Sequence, residues 1–224
     1  MNLTRVVQVA GVIDRDEAEM LISAGVEMLG FPLRLKDGRE DLPETEAADI
    51  VAATHGRCDA VAITYRDTAA EVIELCDSLG FNAVQLHGAI SREEVLALRK
   101  ARPAMTLIKS LVVSADNEAQ LVREIDDTAE LIDAYITDTH DPSTGRTGAT
   151  GKVHDWSVSA ALVGYSPKPV ILAGGLNPEN VGAAISAVRP ASVDAHTGLE
   201  GPDGRKDETL VKRFLAEARA AWDS

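Results

Sequence analysis

Between Val170 and Val181 the chain reads Val-Ile-Leu-Ala-Gly-Gly-Leu-Asn-Pro-Glu-Asn-Val. An apolar run stops at a Gly-Gly pair. Asn177 then falls where a helix N-cap belongs, with Pro178 at the first helical position. A buried strand, a glycine turn and a capped helix start let backbone N–H groups and the positive end of a helix dipole converge on one point, and that point suits a phosphate. A second stretch, Ala191-Ser192-Val193-Asp194-Ala195-His196-Thr197-Gly198-Leu199-Glu200, repeats the pattern: a short strand, a polar turn, a glycine and a route to the last helix. Two consecutive strand ends of this kind, late in the chain, match the way (β/α)₈ barrels bind phosphate after strands 7 and 8.

The rest of the chain agrees with a barrel. Short apolar runs alternate with amphipathic segments from end to end. Strands are expected over 6–9, 27–31, 60–64, 83–86, 106–109, 132–137, 170–173 and 192–195. Helices are expected over 15–24, 45–54, 68–79, 91–101, 116–126, from about 155, over 179–188 and over 207–222. Asp14 and Ser91 read as N-caps, with Glu17 and Glu94 in capping-box positions, and Gly25 and Gly80 as stops. A polar glycine loop is expected over 140–153. Right-handed crossovers turn such units into a closed barrel or a doubly wound sheet. No early Gly-x-Gly-x-x-Gly follows a strand, which argues against a dinucleotide fold. The expected fold is therefore α/β, a single (β/α)₈ TIM barrel spanning 1–224, with its phosphate site after strands 7 and 8.

The 224 residues suit one such barrel. Lys and Arg number 22 against 36 Asp and Glu, a formal net charge of −14. That surface repels nucleic acid and anionic membranes, so an anionic ligand must be received by local groups. The two cysteines, Cys58 and Cys76, lack metal-ligand spacing and read as a reduced pair rather than a bridge. No signal pattern opens the chain and no apolar run approaches a membrane span. The expectation is a cytoplasmic protein, monomer or homodimer, needing no cofactor and no metal, with a phosphorylated small molecule as partner.

In a barrel of this kind, function lies at the C-terminal strand ends. Read in order, those ends carry Ala10-Gly11, residues 34–39, residues 64–67, Gln85-Leu86-His87-Gly88, Lys109-Ser110, Asp138-Thr139-His140, Gly174-Gly175 and Asp194-Ala195-His196. His87, Lys109, Asp138 and His196 each follow an apolar run directly, the pattern of a lined pocket. Asp138 is the best acid–base candidate, since apolar barrel walls raise a carboxyl pKa. His87 reads either as a ligand contact or as a supporting histidine. Lys109 reads as a partner for Asp138, a binder of substrate anion, or one half of a structural salt bridge.

These residues carry a resemblance. Over nearly its whole length the chain resembles phosphoribosylanthranilate isomerase. Matching segments are Gln85-Leu86-His87-Gly88, Ile108-Lys109, Asp138-Thr139, the loop 145–153 leading to Asp155-Trp156, residues 173–181, Val193-Asp194, Thr197-Gly198-Leu199-Glu200 and Lys206-Asp207. The resemblance implies an Amadori rearrangement, in which an aminoaldose phosphate opens its ring and becomes an aminoketose phosphate. It implies Asp138 as general acid and Arg39 on the anthranilate carboxylate. It places Gln85, His87 and Lys109 around the substrate, and Gly174, Gly175, Asn177, Asp194 and Thr197 on its phosphate.

It also exposes a gap. The family's base is a cysteine in a Lys-Ile-Cys-Gly motif ending strand 1. Here the segment reads Gln8-Val9-Ala10-Gly11, so both the cysteine and the lysine are missing. Phe31-Pro32-Leu33-Arg34 and Ile63-Thr64-Tyr65-Arg66 depart from the family as well. The departures gather on one side of the pocket, while the phosphate side is kept. Such clustering points to a paralogue whose substrate or reaction has changed, and favours a pocket in which the anthranilate ring is no longer held. His196 and His140 are the candidate substitute bases near neutral pH, with Glu40 and Asp14 weaker. Two other readings stand beside isomerisation. One is a non-catalytic phosphate-ligand binding paralogue. The other is a lyase or aldolase using Lys109 through a Schiff base.

Overall fold

A computed structural model describes residues 1–35, 42–114, 116–141, 146–147 and 156–224, with 139–141 and 146–147 described by their backbone. Eight parallel strands alternate with eight helices. The strands are β1 (Val7–Ala10), β2 (Met28–Pro32), β3 (Asp59–Thr64), β4 (Ala83–Leu86), β5 (Thr106–Val113), β6 (Ala134–Asp141), β7 (Val170–Leu172) and β8 (Ser192–Ala195). The helices are α1 (Arg15–Ala24), α2 (Glu44–Thr54), α3 (Ala69–Leu79), α4 (Arg92–Ala101), α5 (Glu118–Thr128), α6 (Trp156–Tyr165), α7 (Val181–Val188) and α8 (Glu208–Trp222). Each strand pairs with its sequence neighbours, and β8 returns to β1 through Val7↔Val193, Gln8↔Asp194 and Val9↔Ala195. The sheet is therefore closed, a (β/α)₈ barrel.

Strand parity divides the side chains between two cores. Val6, Met28, Val61, Ala83, Ile108, Ala134, Ile136, Ile171 and Ala173 fill the barrel interior. The intervening residues, such as Val7, Val9, Leu29, Val84, Leu107 and Tyr135, pack outward under the helices. Two residues on from the interior layer, the same parity carries Gln8, Gln85, Ser110, Asp138 and Asp194 toward the C-terminal mouth.

The local rules behind the helices hold. Asp14 and Ser91 accept hydrogen bonds from the backbone N–H of Glu17 and Glu94, and Gly25 and Gly80 end α1 and α3 in left-handed conformations. The two glutamates do not close capping boxes on their own caps. Glu17 accepts from Ile13 N and Lys206 N, and Glu94 accepts from Ala69 N, so each ties its helix to a neighbouring segment. Three expectations need revision. First, β5 and β6 run on as a paired extension to Val113↔Thr139, beyond the ends at 109 and 137. Second, a two-residue strand, Arg146–Thr147, pairs antiparallel with the end of β6 inside the expected loop. Third, α7 starts at Val181, because Asn177 and Asn180 lock the preceding turn. Asn177 Oδ1 accepts from Glu179 N and Asn180 N, while Asn180 Oδ1 accepts from Asn177 N. Cys58 and Cys76 are both free thiols. Among the described residues, no helix is long and apolar enough to cross a membrane.

Candidate active site

The mouth of the barrel carries a continuous polar floor. Gln8 Nε2 donates to Asp194 Oδ1 at 2.9 Å and to Gln85 Oε1 at 3.1 Å. Gln85 Nε2 lies 3.2 Å from His87 Nδ1, and His87 Nε2 stands 2.6 Å from Asp138 Oδ2. An amide N–H can only donate, so Gln85 makes Nδ1 the acceptor and leaves the imidazole proton on Nε2, toward Asp138. The chain thus joins β8, β1, β4 and β6, with Gln8, Gln85, Asp138 and Asp194 all buried. The ring of Tyr65, just past β3, meets His87 edge-on at 4.9 Å between centroids.

The missing lysine of strand 1 has an electrostatic consequence. Gln8 is neutral, so Asp194 faces no cation at its hydrogen bond. Burial pushes the Asp194 carboxyl up to about 7, and the nearby Asp138 adds to this, against Gln8, His87 and Lys206.

On the far side of the mouth, Gly174 (φ +103°) and Gly175 (φ +63°) turn the chain out of β7. The loop after β8 packs directly against this turn. A Cβ on Gly198 would lie 2.1 Å from Leu176 O and 3.0 Å from Asn177 Cβ, so only glycine lets the two loops meet. Asn177 caps the turn with its own oxygen, as described above, which makes it a shaper of the loop. Thr197 begins the 3₁₀ turn Thr197–Leu199 at the surface.

His196 sits between these two regions. Its ring lies against Gly11, which has φ +77°, and a Cβ there would fall 2.1 Å from Nε2. Nε2 is 3.4 Å from Glu200 Oε1, and the same oxygen takes Lys206 Nζ at 3.0 Å. Burial and the Lys206 ammonium hold the His196 imidazole down to about 4, against the pull of Glu200. Lys206 also reaches Gly11 O at 3.4 Å.

Three sequence candidates have other partners. Lys109 shares the outward parity of Leu107 and Leu111, and its Nζ pairs with Glu124 Oε1 of α5 at 2.7 Å. It is buried under a helix and does not line the mouth, so of its three readings the structural salt bridge is the one seen. Asp194 faces the interior floor and bonds to Gln8, away from the phosphate loops. Asp14 caps α1 and pairs with Arg205 at 2.7 Å. Arg39 and Glu40 lie outside the described residues. His140 is the penultimate residue of β6, among residues described by backbone alone. Gln8, which links Asp194 to Gln85, and Tyr65, a wall beside His87, are not marked by any local motif. Parity with Val6 and Ile63 is the signal that would have found them.

A closed (β/α)₈ barrel with polar groups at its C-terminal mouth and glycine loops after β7 and β8 has the architecture of the (β/α)₈ enzymes. The comparisons narrow this class. The family described as N-(5′-phosphoribosyl)anthranilate (PRA) isomerase matches residues 36–217. An N-(5′-phosphoribosyl)anthranilate isomerase 2 from Methanosarcina mazei is 35% identical over 214 residues, covering 95% of this chain and 93% of that protein. The isomerase of Methanothrix thermoacetophila is 33% identical over 218 residues, covering 97% and 99%. The crystal structure of the Thermotoga maritima isomerase superposes with a TM-score of 0.80 at 26% identity, covering 96% and 98%. The chain belongs to the phosphoribosylanthranilate isomerase family. The family match begins at residue 36, downstream of Gln8, Ala10 and Phe31-Pro32-Leu33-Arg34.

Proposed function

We propose that the protein catalyses the Amadori isomerisation of an amino-sugar phosphate, with N-(5′-phosphoribosyl)anthranilate as its substrate, as a cytoplasmic enzyme that uses no cofactor. The observation that carries this reading is the position of Asp138. Its carboxyl lies on the interior parity of β6, 2.6 Å from His87 Nε2, toward the mouth that the two glycine loops border.

In this reading the backbone of Gly174, Gly175, Thr197 and Gly198 receives the phosphate, with Asn177 holding the first loop in shape. Asp138 gives its proton to the ring oxygen, and the ring C–O bond breaks to leave an iminium. The carboxylate formed at Asp138 then has His87 Nε2 2.6 Å away. Loss of the C2 proton turns the iminium into an enolamine; a proton then returns to C1 while the 2-hydroxyl gives up its own to the Asp138 carboxylate, which yields the ketose and restores the acid. Atoms and electrons balance within one substrate, so no oxidant enters.

A second reading keeps the chemistry and changes the non-phosphate half of the substrate. It is favoured by Arg34, whose guanidinium is engaged by both Glu44 and Glu74, and by Tyr65 against His87. Purified protein given phosphoribosylanthranilate decides between the two. Growth of a tryptophan auxotroph lacking its isomerase, when it carries this gene, supports the first. Failure there, with turnover of another amino-sugar phosphate, supports the second.

A further inference from the structure

The isomerisation needs an acceptor for the C2 proton, and Ala10 has none. Among the described residues near the end of β1, few groups can take its place. Asp14 is held in an ion pair with Arg205 while it caps α1. Lys206 is held by Glu200. Asp194 lies one step deeper, as the register partner of Gln8.

His196 is placed differently. Val9 pairs with Ala195, so the next residues on each strand, Ala10 and His196, stand side by side at the ends of β1 and β8. The imidazole leans over β1, with Nε2, Cδ2 and Cε1 2.1, 2.7 and 2.7 Å from the Cβ position of Gly11. The slot it occupies is built from small residues. Gly11 leaves room for the ring, and Gly30 on β2 lies against Ala10, where a Cβ would meet Ala10 Cβ at 3.2 Å. The loop behind the ring is stapled to α1: Lys206 N donates to Glu17 Oε1 at 2.8 Å, and Arg205 bonds Asp14. The ring therefore has a fixed seat beside the position that a cysteine holds in the family, and it remains partly open to solvent.

We infer that His196 is the proton acceptor of this enzyme, a base supplied from β8 in place of the thiol missing from β1. The inference rests on the isomerase reading above. In the step it performs, the C2–H bond breaks, the proton goes to the imidazole, and the bonding pair forms the C1=C2 bond as the iminium nitrogen takes up electrons. The imidazolium then returns a proton to C1 as the enol O–H proton leaves to the Asp138 carboxylate, so the C2 carbonyl forms and both groups are restored. The groups facing the ring support the role. Lys206 and Glu200 flank it on the loop side, while β1 presents only Ala10 and Gly11. Lys206 and burial keep the ring neutral at ordinary pH, so its lone pair is available.

The test uses the full chain with phosphoribosylanthranilate as substrate. The binding probe is reduced 1-(o-carboxyphenylamino)-1-deoxyribulose 5-phosphate, the compound bound in the crystal structure of one isomerase of this fold. H196A and H196Q should lower kcat by ~10² or more, the usual size of a base contribution. The probe's Kd should change by less than about threefold, because a base acts after binding. The isotope effect on C2-deuterated substrate should rise in both variants. Adding A10C to H196A should return about tenfold or more of the lost rate, since a thiol enters the adjacent position. The inference is overturned if H196A keeps kcat within about threefold of the unmodified protein, or if kcat falls only in step with probe affinity, the mark of a phosphate contact. An acid limb of kcat/KM near 7 instead of near 4 would overturn it in favour of Asp194. Absence of turnover by the unmodified protein, with the probe still bound, would overturn the isomerase reading and this assignment with it.

Discussion

Gly11→Ala is a one-methyl probe of how the mouth is built. Gly11 has φ +77°, a conformation that costs an L side chain ~1–2 kcal/mol. The added Cβ would also fall 2.1 Å from His196 Nε2, where ordinary contact begins at 3.4 Å. The ring must therefore retreat by more than an ångström, and Glu200 and Lys206 stand on its other side. Backbone strain alone predicts a Tm lowered by ~2–8 °C for a chain of this size. Displacement of a reacting group by ~1 Å predicts a kcat lowered by ~10². Calorimetry and steady-state turnover of phosphoribosylanthranilate read the two effects separately. A variant with the lowered Tm but a kcat within about threefold of the parent would refute the reasoning, because it would show that the seat of His196 does not matter to the chemistry.

Other substitutions probe the remaining parts of the site. Asp138→Asn keeps the shape of the side chain and removes the acid, so kcat should fall by ~10² to 10⁴, read in the same assay. Lys109→Met should leave kcat within about threefold, because Lys109 faces α5, while unfolding in urea should show a loss of ~1–3 kcal/mol from the broken Glu124 pair. Borohydride treatment with substrate should leave Lys109 unmodified, and a trapped adduct there would revive the Schiff-base reading. Asp194→Asn tests the buried carboxyl. Its native pKa is raised to about 7 from 3.8, so the native state binds its proton more tightly than the unfolded chain does. Ionisation penalises the fold progressively as pH rises from about 4 to about 7, and fully above that. The variant should thus be more stable than the parent at pH 8 by roughly a few kcal/mol, with the gap closing near pH 4. Equal stability across that range would contradict it.

Much of this was legible in the sequence because barrel units are marked locally. Asp14 and Ser91 cap helices, Gly25 and Gly80 stop them, and the runs at 83–86 and 192–195 are strands at those bounds. The glycines after β7 and β8 signalled two loops that do meet, through Gly198 and Leu176. What was hidden depends on parity and on distance along the chain. The run Leu107-Ile108-Lys109-Ser110 is apolar on both faces before it turns polar, so nothing local says that Ser110 faces inward and Lys109 outward. The polar floor joins residues 186 and 77 positions apart, Gln8 to Asp194 and Gln8 to Gln85, and only barrel closure brings them together. The approach of His196 to Gly11 has the same origin, since β8 reaches β1 only when the sheet closes.

Isomerisation of phosphoribosylanthranilate, as proposed for this chain, has to proceed with Ala10 in place of the family's thiol. The most direct measurement is the kcat/KM of the unmodified protein on freshly generated phosphoribosylanthranilate, alongside the Thermotoga maritima isomerase as control. A value of ~10⁴ M⁻¹s⁻¹ or more is expected, within the ordinary range for enzymes. A rate indistinguishable from the uncatalysed reaction, under conditions where the control turns over, would contradict it.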